Sequence, residues 1–197
     1  METKLLDLID NRLTDKNTIH SYIEPYEEIF NKKKYNNNNI LEIGIGEPLT
    51  DNRNGGSIKL WHDYFVNSTI YGIDIHDISK INDIIKNNER IKLLTGKNAY
   101  DIQFIKQNFI SQNIKFDIMI DDGPHTYHSM KFFVEQYLPL LNPKGILIIE
   151  DIPNISWCNK LINSVPSVMK NQVIYRIYDL RNNKKRFDDI LLIFERI

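Results

Sequence analysis

The stretch NILEIGIG, from Asn39 to Gly46, joins a run of branched apolar residues to two closely spaced glycines. A short, near-continuously apolar run of this kind predicts a strand that is buried on both faces, as in parallel sheets. The glycines allow the backbone to turn tightly and to approach a ligand at the carboxyl end of the strand. We therefore expect an α/β sheet with a binding site where this strand ends.

Similar apolar runs recur along the chain, with helical patterns between them, and this alternation is typical of a doubly wound α/β sheet. The last two runs are joined by a charged connection with no room for a crossover helix, which predicts an antiparallel pair. The predicted strands are Asn39–Ile43, Thr69–Ile75, Ile91–Thr95, Phe116–Ile120, Gly145–Ile149, Val173–Tyr178 and Ile190–Glu195. The predicted helices are Thr3–Arg12, Ile19–Asn31, Gly56–Val66, Ile78–Asn88, Ala99–Gln112, His125–Leu140 and Ile155–Lys170.

These elements predict a Rossmann-like α/β fold: a mostly parallel seven-stranded sheet with a C-terminal antiparallel hairpin and helices on both faces. That ending is typical of class I methyltransferases. We expect one compact domain, in which residues 1–35 form a helical cap segment and residues 36–197 the methyltransferase domain. The cap is expected to cover the catalytic face or to mediate association into a homo-oligomer. Residues at helical spacing that are expected in the core are Tyr127, Met130, Val134, Tyr137 and Leu138.

Charge and composition disfavour several classes of partner. Lys+Arg 25 against Asp+Glu 26 gives a net charge of −1, so there is no global basic field to attract nucleic acid or an anionic membrane. No apolar run approaches the ~20 residues that span a bilayer, and the acidic, amphipathic N-terminus does not resemble a signal peptide. The single cysteine, Cys158, fits a reducing compartment and is expected in the core. We expect a cytoplasmic protein that binds a small molecule.

The spacing after the first strand argues against NAD as the ligand. A dinucleotide fingerprint requires a third glycine and an acid about 20 residues further on. Here that glycine is missing, and the acid that ends the second strand, Asp74, lies well beyond this distance. In methyltransferases the strand-end acid accepts hydrogen bonds from the ribose of S-adenosylmethionine, a role that Asp74 fits; alternatively it is a helix cap or loop acid. Glu42 is expected to be a donor ligand or a salt-bridge residue, and Asn98 to border the adenine.

Acidic residues end the fourth and fifth strands, as Asp121-Asp122 and Glu150-Asp151. Neighbouring parallel strands lie about 4.8 Å apart, so these carboxylates should converge and would repel unless they are protonated or bridged by a cation. A hard ion such as Mg²⁺ suits such a site. The alternative is that they are solvated loop acids and helix caps. Glu150 and Asp151 would face opposite sides of an extended strand, so both can bind one ion only if the chain bends there.

Four stretches of the sequence resemble the metal-dependent sugar O-methyltransferases of macrolide biosynthesis, the mycinamicin and macrocin type, and the cephalosporin hydroxylase-like proteins. Together they extend from Thr14 to Ile152, and their combination is more specific than any one of them. The stretches are Thr14–Lys16 with His20 and Tyr22, Leu41–Gly46, Gly55–Ile75, and IDDGPH (120–125) with the downstream IIEDI (148–152).

The resemblance implies roles for individual residues. The implied metal ligands, for Mg²⁺ or Mn²⁺, are Asp122, Glu150 and Asp151, and the implied general base is His125. The residues implied around the methyl donor are Glu42, Gly44, Ser57, Asp74 and Asp121. Gly46, from the glycine turn, and Asn98, from its position after the third strand, are also expected to contact the donor. Substrate contacts are expected from Lys16, His20, Tyr22 and His128.

The expected activity is Mg-dependent transfer of a methyl group from S-adenosylmethionine to a hydroxyl of a sugar or nucleotide sugar. An alcohol is a poor nucleophile at neutral pH, so coordination to the ion and proton removal by His125 should both assist. A vicinal diol would chelate the ion, which favours a sugar. The alternatives are a metal-independent methyltransferase of another small molecule and a catalytically silent protein that binds S-adenosylmethionine. An iron hydroxylase is disfavoured because two histidines and one carboxylate do not occur in suitable order.

Overall fold

The computed structural model describes residues 3–46 and 54–197. The chain forms two compact units, Met1–Lys97 and Asn98–Ile197. Within the described residues, no helix has both the length and the apolar composition that a membrane span requires.

The first unit contains a parallel sheet in which the second strand lies between the other two. Each of its strands ends within two residues of the predicted position. The elements of this unit are α1 (Leu5–Leu8), α2 (Ile23–Phe30), a 3₁₀ turn (Asn31–Lys33), β1 (Asn39–Ile43), α3 (Gly56–Tyr64), β2 (Thr69–Ile73), two 3₁₀ turns (Ile78–Lys80 and Asp83–Ile85) and β3 (Ile91–Leu94).

The second unit combines a parallel pair of strands with an antiparallel hairpin: β4 and β5 are parallel, and β7 pairs antiparallel with both β5 and β6. The elements of this unit are α4 (Ile102–Ile105), a π-helical continuation (Lys106–Ile110), β4 (Phe116–Asp121), α5 (Tyr127–Tyr137), a 3₁₀ turn (Leu138–Leu140), β5 (Leu141–Ile149), α6 (Ser156–Asn163), a 3₁₀ turn (Ser167–Met169), β6 (Val173–Asp179), α7 (Arg181–Lys184) and β7 (Ile190–Arg196).

The strands of the first unit have the order β3-β2-β1, and those of the second unit have the order β4-β5-β7-β6. The predicted mixed sheet, mostly parallel and closed by antiparallel strands, is therefore confirmed. Cys158 is in the core as expected, and burial raises the pKa of its thiol to about 11.

Several predicted helices were wrong in extent. The predicted helix Ile155–Lys170 ends at Asn163, and Ile19–Asn31 begins only at Ile23. The segment 78–88 forms only two 3₁₀ turns, because the side chains of Asp77 and Asn82 accept hydrogen bonds from the backbone two residues further on and so start separate short turns. The predicted helix Thr3–Arg12 is confined to Leu5–Leu8, since the chain becomes extended at Ile9. In the segment 78–88, local bonds from polar side chains thus override helical periodicity.

Aromatic packing joins α2 to α3 in the first unit. Phe30 stacks on Tyr26 with ring centroids 4.9 Å apart and meets the edges of Trp61 and Phe65 at 5.5 and 5.3 Å. At the start of α3 the backbone carbonyl of Leu13 lies so close that a Cβ on Gly56 would be 2.4 Å from its oxygen. The N-terminal segment and α3 therefore require glycine at this position.

We expect Gly56→Ala to destabilise the protein by roughly 2 kcal/mol, because a backbone carbonyl cannot move aside as a side chain can. In a chain of this size the loss corresponds to a Tm decrease of about 4–8 °C in calorimetric unfolding. Gly72→Ala is the matched control, since its Cβ would meet only side-chain ends, at 3.2 and 3.3 Å. Equal Tm values for the two variants would contradict the close packing of Leu13.

Candidate active site

The glycine turn after β1 has the backbone that its sequence predicts. Gly44 and Gly46 have φ angles of +79° and +135°, which side chains rarely allow. Asp74 directly follows β2, is almost fully buried, and accepts hydrogen bonds from the backbone N–H of Ile45 (3.0 Å) and of His76 (2.8 Å). A carboxylate offers about four acceptor positions. Asp74 therefore holds the turn and keeps capacity to accept bonds from a ligand's hydroxyls.

Glu42 is held in a buried ion pair. Its carboxylate lies 3.3 Å from the ammonium of Lys16 and accepts a 3.0 Å hydrogen bond from the indole of Trp61. Both charged side chains are at most 1% exposed. The ammonium of Lys16, which was predicted to contact substrate, therefore lies at the buried Glu42 carboxylate and forms a salt bridge with it.

Other residues of the first unit that were predicted for binding are also buried. His20 and Tyr22 stack on each other at 4.9 Å, and Tyr22 meets the edge of Tyr26 at 6.2 Å. Neither side chain is more than 2% exposed. Ser57 is buried in the first turn of α3. His20 and Tyr22 therefore occupy packed positions, which sequence spacing alone did not indicate.

In the second unit, the carboxylate of Asp121 at the end of β4 is buried and accepts a hydrogen bond from the hydroxyl of Tyr100. A Cβ on Gly123 would lie 2.0 Å from that hydroxyl, so glycine makes this contact possible. Asn98 is exposed, and its side chain accepts a 2.9 Å bond from the backbone N–H of Tyr100. Among the described residues, the second carboxylate oxygen of Asp121 has no hydrogen-bond partner.

Burial controls the ionisation of this pair. It raises the pKa of Asp121 to about 6, although the hydrogen bond from Tyr100 acts in the opposite direction. Burial and the nearby carboxylate raise the pKa of Tyr100 far above its usual value, so its hydroxyl stays protonated and remains a donor. Tyr100 was not among the predicted site residues, because no motif or periodicity connects it with the end of β4.

A cluster of three side chains follows β4 and β5. One ligand atom each from Asp122, His125 and Asp151 lies within 4.8 Å of the others. The His125 Nε2 atom is 3.8 Å from Asp122 and 3.7 Å from Asp151, and all three side chains are partly exposed. The two carboxylates offer the oxygen ligands that a hard divalent cation prefers, and the cluster lacks the second histidine that a redox iron site with two histidines would need.

The backbone explains which acids meet. His125 and Asp151 have φ angles of +50° and +51°, in the left-handed region that non-glycine residues seldom adopt. Glu150, predicted as a ligand with Asp122 and Asp151, is 1% exposed and lies outside the three-residue cluster. Successive residues of an extended chain point to opposite faces, and the turn at Asp151 brings that carboxylate to the cluster instead.

Comparison with known proteins gives a consistent result. A family described as a methyltransferase domain matches residues 50–152, just over half of the chain. The chain is 29% identical over 139 residues to mycinamicin VI 2''-O-methyltransferase of Micromonospora griseorubida, covering 71% of this chain and 33% of that protein. It is also 29% identical over 154 residues to demethylmacrocin O-methyltransferase of Streptomyces fradiae, covering 78% and 37%. The chain thus spans about a third of the length of these curated relatives.

Among solved structures, the MycE methyltransferase of the mycinamycin pathway in complex with Mg and SAH has a TM-score of 0.75 and 22% identity, covering 100% of this chain and 55% of that one. A further complex of MycE with Mg, SAH and mycinamycin VI has a TM-score of 0.77 and 22% identity, covering 99% and 54%. At this level of identity, the likeness establishes the fold.

Proposed function

Because the chain belongs to the methyltransferase-domain family, we propose that it transfers a methyl group from S-adenosylmethionine to a hydroxyl of a sugar or nucleotide sugar, with Mg²⁺ or Mn²⁺ at the site. The observation that carries this proposal is the convergence of Asp122, His125 and Asp151. It is supported by relatives named as O-methyltransferases of rhamnosyl and olivosyl compounds.

The methyl donor would be held by residues at the carboxyl ends of the strands. In the first unit, Asp74 has acceptor capacity for ribose hydroxyls, and the absence of a Cβ at Gly44 and Gly46 lets a ligand approach the backbone of the turn. In the second unit, the buried Asp121 oxygen that has no partner among the described residues is a ready acceptor for an N–H or O–H group. The proposed donor contacts are Glu42, Gly44, Gly46, Ser57, Asp74, Asn98 and Asp121.

Asp122 and Asp151 would hold the divalent ion, with Glu150 proposed as a third ligand from the family resemblance. Such an ion, when bound, lowers the pKa of a coordinated hydroxyl. His125 stands 3.7–3.8 Å from both carboxylates and is partly exposed, so its imidazole can accept the acceptor's proton as the methyl group is transferred. His128 is exposed on the first turn of α5 and is proposed to contact substrate only.

We expect isothermal titration calorimetry to show that the protein binds S-adenosylmethionine and does not bind NAD. Asp74→Ala should lower the affinity for S-adenosylmethionine roughly 10- to 100-fold, because the variant loses charge-assisted hydrogen bonds. Asp77→Ala is the matched control, because Asp77 is an exposed acid whose carboxylate only caps a 3₁₀ turn. Release of S-adenosylhomocysteine in the presence of Mg²⁺ and a panel of sugars and nucleotide sugars tests the transfer itself. Binding of NAD in place of the donor, or no transfer to any sugar, would refute the proposal.

A further inference from the structure

One aromatic residue of α5 does not follow the helical pattern of burial. Met130, Val134 and Tyr137 are at most 1% exposed, as their spacing predicts, whereas Tyr127 remains partly exposed. Its ring meets that of Trp157 at 5.6 Å between centroids and an interplanar angle of 66°. Trp157 is also only partly buried. The pair therefore presents aromatic surface to solvent.

The fold places this pair at the catalytic edge. Tyr127 is the first residue of α5, two residues after His125, and Trp157 is the second residue of α6, six residues after Asp151. Because β4 and β5 are parallel neighbours, the helices that follow them both begin at the carboxyl edge of the sheet. The aromatic pair and the Asp122, His125 and Asp151 cluster thus lie at the same edge of the same unit.

Polar groups border the pair. The ammonium of the exposed Lys160 lies 5.9 Å from the centre of the Tyr127 ring, and the ring of the exposed His128 meets Tyr127 at 6.0 Å. Both can donate hydrogen bonds to hydroxyl or phosphate oxygens. An apolar surface bordered by a few donors is the usual composition of a small-molecule site.

We propose that Tyr127 and Trp157 form the acceptor platform, packing against the C–H face of the sugar ring whose hydroxyl is methylated. A sugar combines an apolar C–H face with a rim of hydroxyls, which matches this combination of rings and donors. The two rings at 66° offer a face and an edge against which the C–H groups of a puckered sugar ring can pack. This inference rests on the proposed function and names the substrate surface of that same site.

The first test follows binding without turnover. The chain has two tryptophans, and Trp61 is fully buried, so added sugar should alter the emission of Trp157. With saturating S-adenosylhomocysteine and Mg²⁺, we expect UDP-glucose or methyl glucoside to change the fluorescence, and the change to vanish in Trp157→Phe. Catechol and UDP are the comparison ligands: a response to either of these but not to the two sugar probes would overturn the sugar platform.

The second test separates recognition from chemistry. We expect Trp157→Ala to raise the acceptor KM at least about 10-fold while kcat and donor affinity stay within a few-fold, since an aromatic contact to a sugar is made equally in the ground and transition states. Trp157→Phe, which keeps an aromatic ring, should recover most of the KM. Tyr175→Ala removes a 53% exposed aromatic side chain from β6 and should have no effect.

Results that contradict the Tyr127–Trp157 platform differ from results that contradict the proposed function. An unchanged KM in Trp157→Ala, in an enzyme that methylates a sugar, overturns the platform and leaves the proposed function intact. Methyl transfer to catechol with none to any sugar overturns both. A fall in kcat and Tm together with an unchanged KM assigns the pair to packing between α5 and α6, which also overturns the platform.

Discussion

Substitution of His125 by asparagine is expected to lower kcat by roughly 10²- to 10⁴-fold while the affinity for S-adenosylmethionine stays within a few-fold, as for the loss of a general base. Asparagine is the informative replacement because residue 125 has a φ of +50°, which asparagine tolerates and alanine does not. A fall in kcat then reports the missing imidazole rather than a distorted backbone.

The matched control is His128→Asn, one helical turn further along. His128 is exposed and contacts the edge of Tyr127, so its loss should alter acceptor KM more than kcat. Steady-state kinetics of both variants with one working acceptor decide the role. Normal turnover in His125→Asn together with a large loss in His128→Asn would assign the general-base role to His128. Normal turnover in both variants would show that neither histidine is the base and that the metal ion activates the hydroxyl without one.

Removal of the metal is expected to have an effect of similar size. Excess EDTA should abolish turnover and added Mg²⁺ should restore it, while the donor stays bound. Asp122→Asn and Asp151→Asn should each lower the affinity for Mg²⁺. The loss should exceed the roughly 10- to 100-fold that follows when a residue hydrogen-bonded to a metal ligand is removed, because these carboxylates are themselves proposed ligands. Asparagine again preserves the backbone, since Asp151 has a φ of +51°.

Calorimetric titration with Mg²⁺ measures this loss directly and does not depend on knowing the acceptor. Glu135→Gln is the control, because this acid lies on α5 and pairs with Lys131 on the protein surface. Full activity in EDTA would select a metal-independent methyltransferase. Unfolding of both aspartate variants, with normal Mg²⁺ dependence in the wild type, would show that the acids also have a structural role.

The short-range pattern of apolar residues and glycines predicted the strands better than it predicted the helices. The bounds predicted for β1 are those observed, since branched apolar residues followed by glycine both favour the strand and end it. Between Ile78 and Asn88 the apolar spacing resembles a helix, yet Asp77 and Asn82 divide it into separate turns. Periodicity measures burial along a regular helix and does not include competition from local side-chain bonds.

Binding residues were harder to predict than elements. Tyr22 carries the same chemistry in sequence whether it contacts a sugar or packs in a core, and only its full burial separates the two. Tyr127 shows the converse, because its helical spacing predicted burial but the start of α5 leaves it beside Trp157 at the surface. Exposure depends on what packs against a residue from elsewhere in the chain.

The sequence by itself determined the α/β alternation, the glycine turn after β1 and the acids that end β4 and β5, because these depend on residue types at neighbouring positions. Tertiary structure alone decided that Asp122 and Asp151, rather than Glu150, meet at His125, and that Lys16 is paired with Glu42. Those pairings depend on side-chain direction and on single backbone angles, such as the left-handed φ of Asp151. Contacts between residues far apart in sequence fix such angles, and a local pattern does not record them.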